Sequence, residues 1–190
     1  GEGSLLSEAN QMSKIFSKVD RKPDDLAALL YTSGTTGRSK GAMLTQNNLL
    51  SNAKTLKKLW QVTKSDILIH ALPIFHTHGL FVALNTAMLA GAKVNFIPKF
   101  DLDEVIDTLP ASTLLMGVPT FYTRLLADYR LTEKLTKNMR LFISGSAPLL
   151  PETHQEFTKR TGHHILERYG MTETNMITSN PYHGERRPGT

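Results

Sequence analysis

The sequence predicts an α/β domain built on a mostly parallel sheet with helices on both faces. Three observations carry that prediction. Apolar runs of strand length recur along the chain, and helical spacing of apolar residues fills intervals between them. A chain of 190 residues can also bury roughly 70% of its extended surface, enough for one sizeable core. Strands alternating with helices require crossover connections, which make neighbouring strands parallel.

The strand candidates are "LAALLY" (26–31), "DILIHAL" (66–72), "KVNFIP" (93–98), "STLLMG" (112–117), "RLFIS" (140–144) and "HHILERY" (163–169). A helix follows Thr45, whose side chain can cap it, with Leu49, Ala53, Leu56 and Trp60 on one face and Lys54, Lys57 and Lys58 on others. A second helix starts at Pro119, where a missing N–H costs nothing, and carries Phe121, Tyr122, Leu125, Leu126 and Tyr129 on its apolar face. A third runs from near Pro151 to Gly162.

Ligands of such sheets bind beyond the carboxyl ends of the strands. "TSGTTG" follows the first strand, "PIFHTHG" the second, "GVPT" the fourth, "SGSAP" the fifth and "GMTET" the sixth, so these loops are expected to share one sheet edge.

Composition excludes several classes of function. The chain is 40% hydrophobic and 21% charged, without low-complexity tracts, which argues against disorder. It holds no apolar run near the ~20 residues that span a bilayer. The absence of cysteine removes disulfides, thiolate zinc sites and cysteine nucleophiles, and a cytoplasmic location is the expectation. The net charge of +5, from 22 Lys and Arg against 17 Asp and Glu, is spread along the chain, so no nucleic-acid partner is indicated. The opening "GEGSLLSEANQ" lacks the cationic start and apolar stretch of a signal peptide.

"LLYTSGTTGRSKG" (29–41) suits a polyphosphate. Gly34, Gly37 and Gly41 permit close backbone approach, Ser33, Thr35, Thr36 and Ser39 supply hydroxyl donors, and Arg38 and Lys40 add positive charge. It is not a Walker A loop, because Lys40 comes three residues after Gly37 and is followed by Gly41. A flexible surface turn is the alternative reading of the loop by itself. Likewise, "YGMTET" by itself fits a helix-capping turn, and His78, His163 and His164 fit buried structural histidines. His76 and His78 without a third ligand make a poor zinc site.

"YTSGTTGRSKG", "LPIFHTHG", "SGSAPL" and "YGMTET" stand in the order of the signature motifs of the adenylate-forming superfamily, which the chain resembles from about Pro23 onward. Within it, "IHALPIFHTHGLF", "LMGVPTFYTRLL", "RLFISGSAPLL" and "LERYGMTETNM" most resemble malonyl-CoA synthetases. The resemblance implies part of the large domain of an acyl-CoA synthetase, with residues 1–22 as an N-terminal stub and 23–190 as the α/β AMP-binding subdomain. It also implies that the chain is a central fragment without the C-terminal lid domain, with little or no activity alone.

The implied reaction converts malonate and ATP to malonyl-adenylate and pyrophosphate, after which coenzyme A displaces AMP. The resemblance assigns Thr32, Ser33, Gly34, Thr35, Thr36, Gly37 and Lys40 to the ATP phosphates, and Gly145, Ser146, Ala147 and Tyr169 to adenine. It gives catalytic roles to His76, Thr172 and Glu173, with Glu173 holding Mg2+. A dicarboxylate brings a second anion that needs a cation, and Arg124 and Arg168 are the candidates. Met176 is a candidate for closing the acyl pocket. The alternatives are a synthetase for a short or medium monocarboxylic acid and a non-catalytic nucleotide-binding module.

Overall fold

The computed structural model describes residues 4–32 and 39–189. A short helix α1 (Ser4–Gln11) precedes two strands, β1 (Leu26–Thr32) and β2 (Lys40–Thr45), which pair antiparallel with Leu30 opposite Ala42 and Thr32 opposite Lys40. This corrects the expectation that the first strand belongs to the main sheet. The connection over 33–39 is shorter than the dozen or so residues that a parallel crossover needs, so the chain folds back as a ribbon. Periodicity missed β2 because it runs straight into the next helix.

That helix, α2 (Gln46–Leu59), is capped as expected. Thr45 Oγ1 accepts from the Asn48 amide at 3.2 Å, and Asn48 Oδ1 accepts from the Thr45 amide at 2.9 Å. Ala53, Leu56 and Trp60 are buried on its inner face.

The chain continues through β3 (Ile67–His70), a π-helical turn (His78–Leu84), α3 (Asn85–Ala90), β4 (Lys93–Phe96), α4 (Leu102–Thr108) and a 3-10 turn (Leu109–Ala111). It ends with β5 (Leu114–Gly117), α5 (Pro119–Leu126), β6 (Leu141–Ser144), α6 (Pro151–Thr161), β7 (Leu166–Met171) and β8 (Asn175–Ser179). The main sheet has the order β4-β3-β5-β6-β7-β8, parallel except for β8, which returns antiparallel on β7. Helices α2 and α3 pack together with the π-helical turn, and α5 packs against α4 and α6.

β5 and β6 are buried along their whole length, which explains why they read as continuous apolar runs rather than alternating ones. α5 begins at Pro119 as expected but ends at Leu126, so Tyr129 lies beyond it and is 84% exposed, not part of its apolar face. α6 stops at Gly162, whose φ of 74° lies in the left-handed region that glycine reaches without penalty.

Below the amino ends of the strands, Asp66 and Arg140 tie the sheet together. Arg140 Nε and Nη2 donate to the two carboxylate oxygens of Asp66, each at 2.7 Å, while Thr113 Oγ1 donates to Asp66 Oδ1 at 2.8 Å. No helix among the described residues is long and apolar enough to cross a membrane.

Candidate active site

The strand order places β3 between β4 and β5, so the crossover that leaves β3 runs outward to β4 while the one that leaves β5 runs the opposite way to β6. The loops that follow β3 and β5 therefore part, and a crevice opens between them beyond the carboxyl ends of the strands. A cleft of about 660 Å³ occupies that crevice, walled by Pro73, His76 and His78 after β3 and by Val118 and Phe121 after β5.

Other segments complete it. Ser146 arrives from the loop after β6, Thr172 and Glu173 from the tip of the β7–β8 hairpin, and Thr32 from the end of the separate ribbon. Four of the five expected loops thus come from the main sheet edge and the fifth from the ribbon. Thr32 Oγ1 donates to Glu173 Oε1 at 3.3 Å, so the ribbon and the hairpin meet at the mouth of the cleft. Ser33, Gly34, Thr35, Thr36 and Gly37 lie outside the described residues; Lys40 stands opposite Thr32 at the start of β2 and is exposed.

A second cavity of about 370 Å³ adjoins the first. Ser146, Ala147, Arg168, Tyr169 and Gly170 contribute to its wall, and Ser146 and Gly170 belong to both cavities. Strand alternation explains the neighbours Arg168 and Tyr169: the first side chain points inward at 6% exposure and the second outward at 57%. An exposed aromatic ring beside a small-residue turn is a stacking surface for a planar ligand.

Arg168 is the most unusual group in the site. Its Nε and Nη2 are buried without a hydrogen-bond partner among the described residues. The guanidinium lies against Gly145, where a β-carbon would stand 2.4 Å from Arg168 Cζ. Burial lowers its pKa to about 10, still leaving it a cation at neutral pH. A buried unpaired cation is costly and attracts an anion.

Arg124 sits differently. It is exposed and stacks over the Phe100 ring at 4.7 Å, outside the walls of both cavities. Met176 packs behind Gly170, where a β-carbon would meet Met176 Cε at 2.6 Å, and it borders neither cavity directly.

Two histidines here are buried: His78, which fits its reading as a buried structural histidine, and His70, which no motif singles out. His78 is 5% exposed, and its Nδ1 lies 3.3 Å from Ser146 Oγ. Burial, reinforced by the Arg168 charge and then by His70, holds its pKa well below 6.5. His70, at the end of β3, is fully buried and packs against the Phe96 ring with centroids 5.3 Å apart. A signal for His78 was present in "HTHG", but periodicity gives no hint that the residues after it form a π-helical turn, a form common at functional sites. His163 fits its structural reading, with Nε2 3.1 Å from the Thr136 carbonyl. His164 is exposed rather than buried.

Among the described residues no group of three or more His, Asp or Glu could cage a metal ion. Glu173 fits a different mode of binding. It presents an exposed carboxylate beside two hydroxyls, Thr32 and Thr172, at the rim of the cleft. Mg2+ commonly takes one or two carboxylates, water and substrate phosphates rather than an all-protein cage, and this donor set suits it.

Comparison with known proteins finds a matching family and matching folds. Residues 2–190 match the AMP-binding enzyme family. A malonate–CoA ligase of Arabidopsis thaliana is 38% identical over 187 residues, covering 88% of this chain and 31% of that protein. A mitochondrial malonate–CoA ligase of Mus musculus is 38% identical over 180 residues, covering 86% and 31%. The ATP-bound structure of MatB from Rhodopseudomonas palustris superposes with a TM-score of 0.93 at 62% identity, covering 100% of this chain and 38% of that one. A malonyl-CoA ligase ternary product complex with methylmalonyl-CoA and AMP gives a TM-score of 0.85 at 38% identity, covering 91% and 38%. The chain thus spans about a third of the length of these relatives.

Proposed function

Because the chain belongs to the AMP-binding enzyme family, we propose that it forms the nucleotide- and carboxylate-binding part of an ATP-dependent malonyl-CoA synthetase. In the first step a malonate oxygen attacks the α-phosphorus of ATP, the bond to the bridging oxygen breaks, and pyrophosphate leaves. The coenzyme A thiol then attacks the acyl carbon of malonyl-adenylate, and AMP leaves.

The first step brings anions together, so the protein's task is positioning and charge compensation. Tyr169 stacks on adenine, with Gly145, Ser146 and Ala147 as the opposing wall. Thr172 donates to a phosphate oxygen at the mouth of the cleft, Thr32 turns its single hydroxyl proton from Glu173 to a phosphate oxygen when ATP enters, and Ser33, Gly34, Thr35, Thr36, Gly37 and Lys40 complete the phosphate grip. His76, exposed on the cleft wall, marks where the attacking carboxylate meets the α-phosphate. Glu173 would hold Mg2+, which when bound screens the phosphate charge.

The observation that carries malonate over a monocarboxylate is the unpaired, buried Arg168 guanidinium beside the cleft. A monocarboxylate would leave that cation without an anion, whereas the free carboxylate of malonate meets it. Arg124, stacked on Phe100, is the lesser candidate. The malonate and methylmalonyl groups named for the relatives support the same substrate class.

The test is carboxylate-dependent ATP–pyrophosphate exchange by this sequence carried to the length of its relatives, with malonate, methylmalonate, acetate and octanoate compared. Fastest exchange with malonate is expected. Preference for acetate or octanoate overturns the dicarboxylate substrate while retaining adenylation, and absence of exchange with all four overturns the ligase reading.

A further inference from the structure

The turn between β6 and α6 holds one residue in a costly conformation. Ser146 has a φ of 70°, in the left-handed region where a β-carbon crowds the backbone. A serine stays there only where its surroundings compel it. Two constraints are visible. Gly145, just before it, is crowded on one side by the Arg168 guanidinium, which leaves no room there for a β-carbon. Ser146 Oγ meets His78 Nδ1 at 3.3 Å, and His78 is buried at the start of the π-helical turn, on the far side of the crevice.

Ser146 also has a special location, since it belongs to both the 660 Å³ cleft and the 370 Å³ cavity. Its backbone conformation therefore sets the direction of Ala147, the next residue in the wall of the smaller cavity. The contact joins the segment after β3 to the segment after β6, two loops that the parallel sheet does not connect directly.

We propose that His78 is a positioning residue: its contact with the Ser146 hydroxyl keeps Ser146 left-handed and thereby shapes the wall against which adenine rests. The ligand half of this statement rests on the nucleotide reading above; the holding contact does not. Glycine adopts the same φ without penalty, so a chain with Ser146→Gly has no need of His78 for this purpose.

The experiment measures MgATP affinity by titration calorimetry, and urea unfolding midpoints, on the chain and its variants. His78→Phe is expected to weaken MgATP roughly three- to tenfold, the range of one hydrogen bond of modest net worth. His78→Asn, whose amide stands near the place of Nδ1, restores most of that loss, whereas His78→Gln, whose amide stands near Nε2, does not. In the Ser146→Gly background His78→Phe has no further effect on affinity, and the unfolding midpoints of the same chains are non-additive. A His78→Phe loss that is equally large in the Ser146→Gly background overturns the proposal, as do additive midpoints. If the unsubstituted chain does not bind MgATP, the ligand half falls with the proposed function, and the midpoints still decide whether His78 holds Ser146.

Discussion

The Thr32 hydroxyl donates to the Glu173 carboxylate at 3.3 Å, across 141 positions of sequence. The bond fastens the end of the β1–β2 ribbon to the tip of the β7–β8 hairpin, so the Glu173 carboxylate and the hydroxyls of Thr32 and Thr172 close on the same rim. Neither belongs to the rigid centre of the sheet. Their meeting sets polar groups beside the apolar wall of Val118 and Phe121.

Replacement of Glu173 by Gln tests the charge at that rim. The amide oxygen still accepts from Thr32, and the residue is exposed, so the unfolding free energy should stay within about 0.5 kcal/mol of the original. Nucleotide binding should change in kind. Calorimetry with and without Mg2+ should show that the metal strengthens ATP binding to the original chain and gives no such gain to the Glu173→Gln variant. An undiminished gain would move the metal to other oxygens.

Arg168 should show opposite effects on stability and on function. Substituting Met removes a buried cation that has two unpartnered nitrogens, so urea unfolding should show unchanged stability or a gain of up to about 2 kcal/mol. Malonate-dependent exchange should be lost together with that charge. Gly145→Ala offers an independent check, because its β-carbon would stand 2.4 Å from Arg168 Cζ and the flexible guanidinium must move aside. It should raise the KM for malonate in the original background, and the double substitution should leave no less residual exchange than Arg168→Met alone. Destabilisation by Arg168→Met of more than about 2 kcal/mol would mean that the guanidinium is already compensated.

The parallel core was legible because its strands are short, wholly buried and therefore continuous in hydrophobicity, as in "LLMG" and "LFIS". The cap at Thr45 and the stop at Gly162 were legible because each depends on local chemistry at a single residue. The ribbon was not, since β1 reads like any core strand, and only the short connection over 33–39 excludes a parallel crossover. β8 was missed for a similar reason: Asn175–Ser179 is short and polar and is held as a strand by β7. In the site, the motif order located the loops, but the His78–Ser146 contact depends on three-dimensional packing that spacing does not encode.

Asp66 should be the most sensitive polar position outside the cleft. Burial alone would raise its pKa, but hydrogen bonds from Arg140, Thr63 and Thr113 outweigh this and hold it below 3.8. Asp66→Asn leaves Arg140 without its anion and should cost about 2–3 kcal/mol, less than the 3–5 kcal/mol of a fully buried pair because the Arg140 side chain is 26% exposed. A depressed carboxylate stabilises the fold at every pH above the unfolded value near 3.9 and loses that contribution as pH falls toward and through its lower folded value. Urea midpoints of the original chain and Asp66→Asn should therefore differ by a constant amount from pH 7 to 5 and converge only below about pH 4. Convergence at higher pH would show that the pair is not what stabilises the sheet's lower edge.

His70 sets a separate pH window, above that of Asp66. It is fully buried at the end of β3, neither ring nitrogen has a partner among the described residues, and burial drives its pKa from 6.5 to about 4. The unfolded chain therefore takes up a proton that the folded chain refuses at every pH between those two values. Stability from a neutral His70 is complete above about 6.5 and is lost as pH falls through the folded value, at a rate approaching 1.4 kcal/mol per pH unit. His78 is depressed in the same direction and should add to the loss. Urea midpoints should thus fall steadily from pH 7 to 5 in the original chain. His70→Phe keeps the packing against Phe96 and removes both unpartnered nitrogens, so it should be at least as stable at pH 7 and lose less on acidification. The remaining slope belongs to His78 and the other depressed histidines, His154 and His163. If His70→Phe left the slope unchanged, the imidazole would have to be protonated in the folded chain, and a buried anion or water facing it would have to be sought.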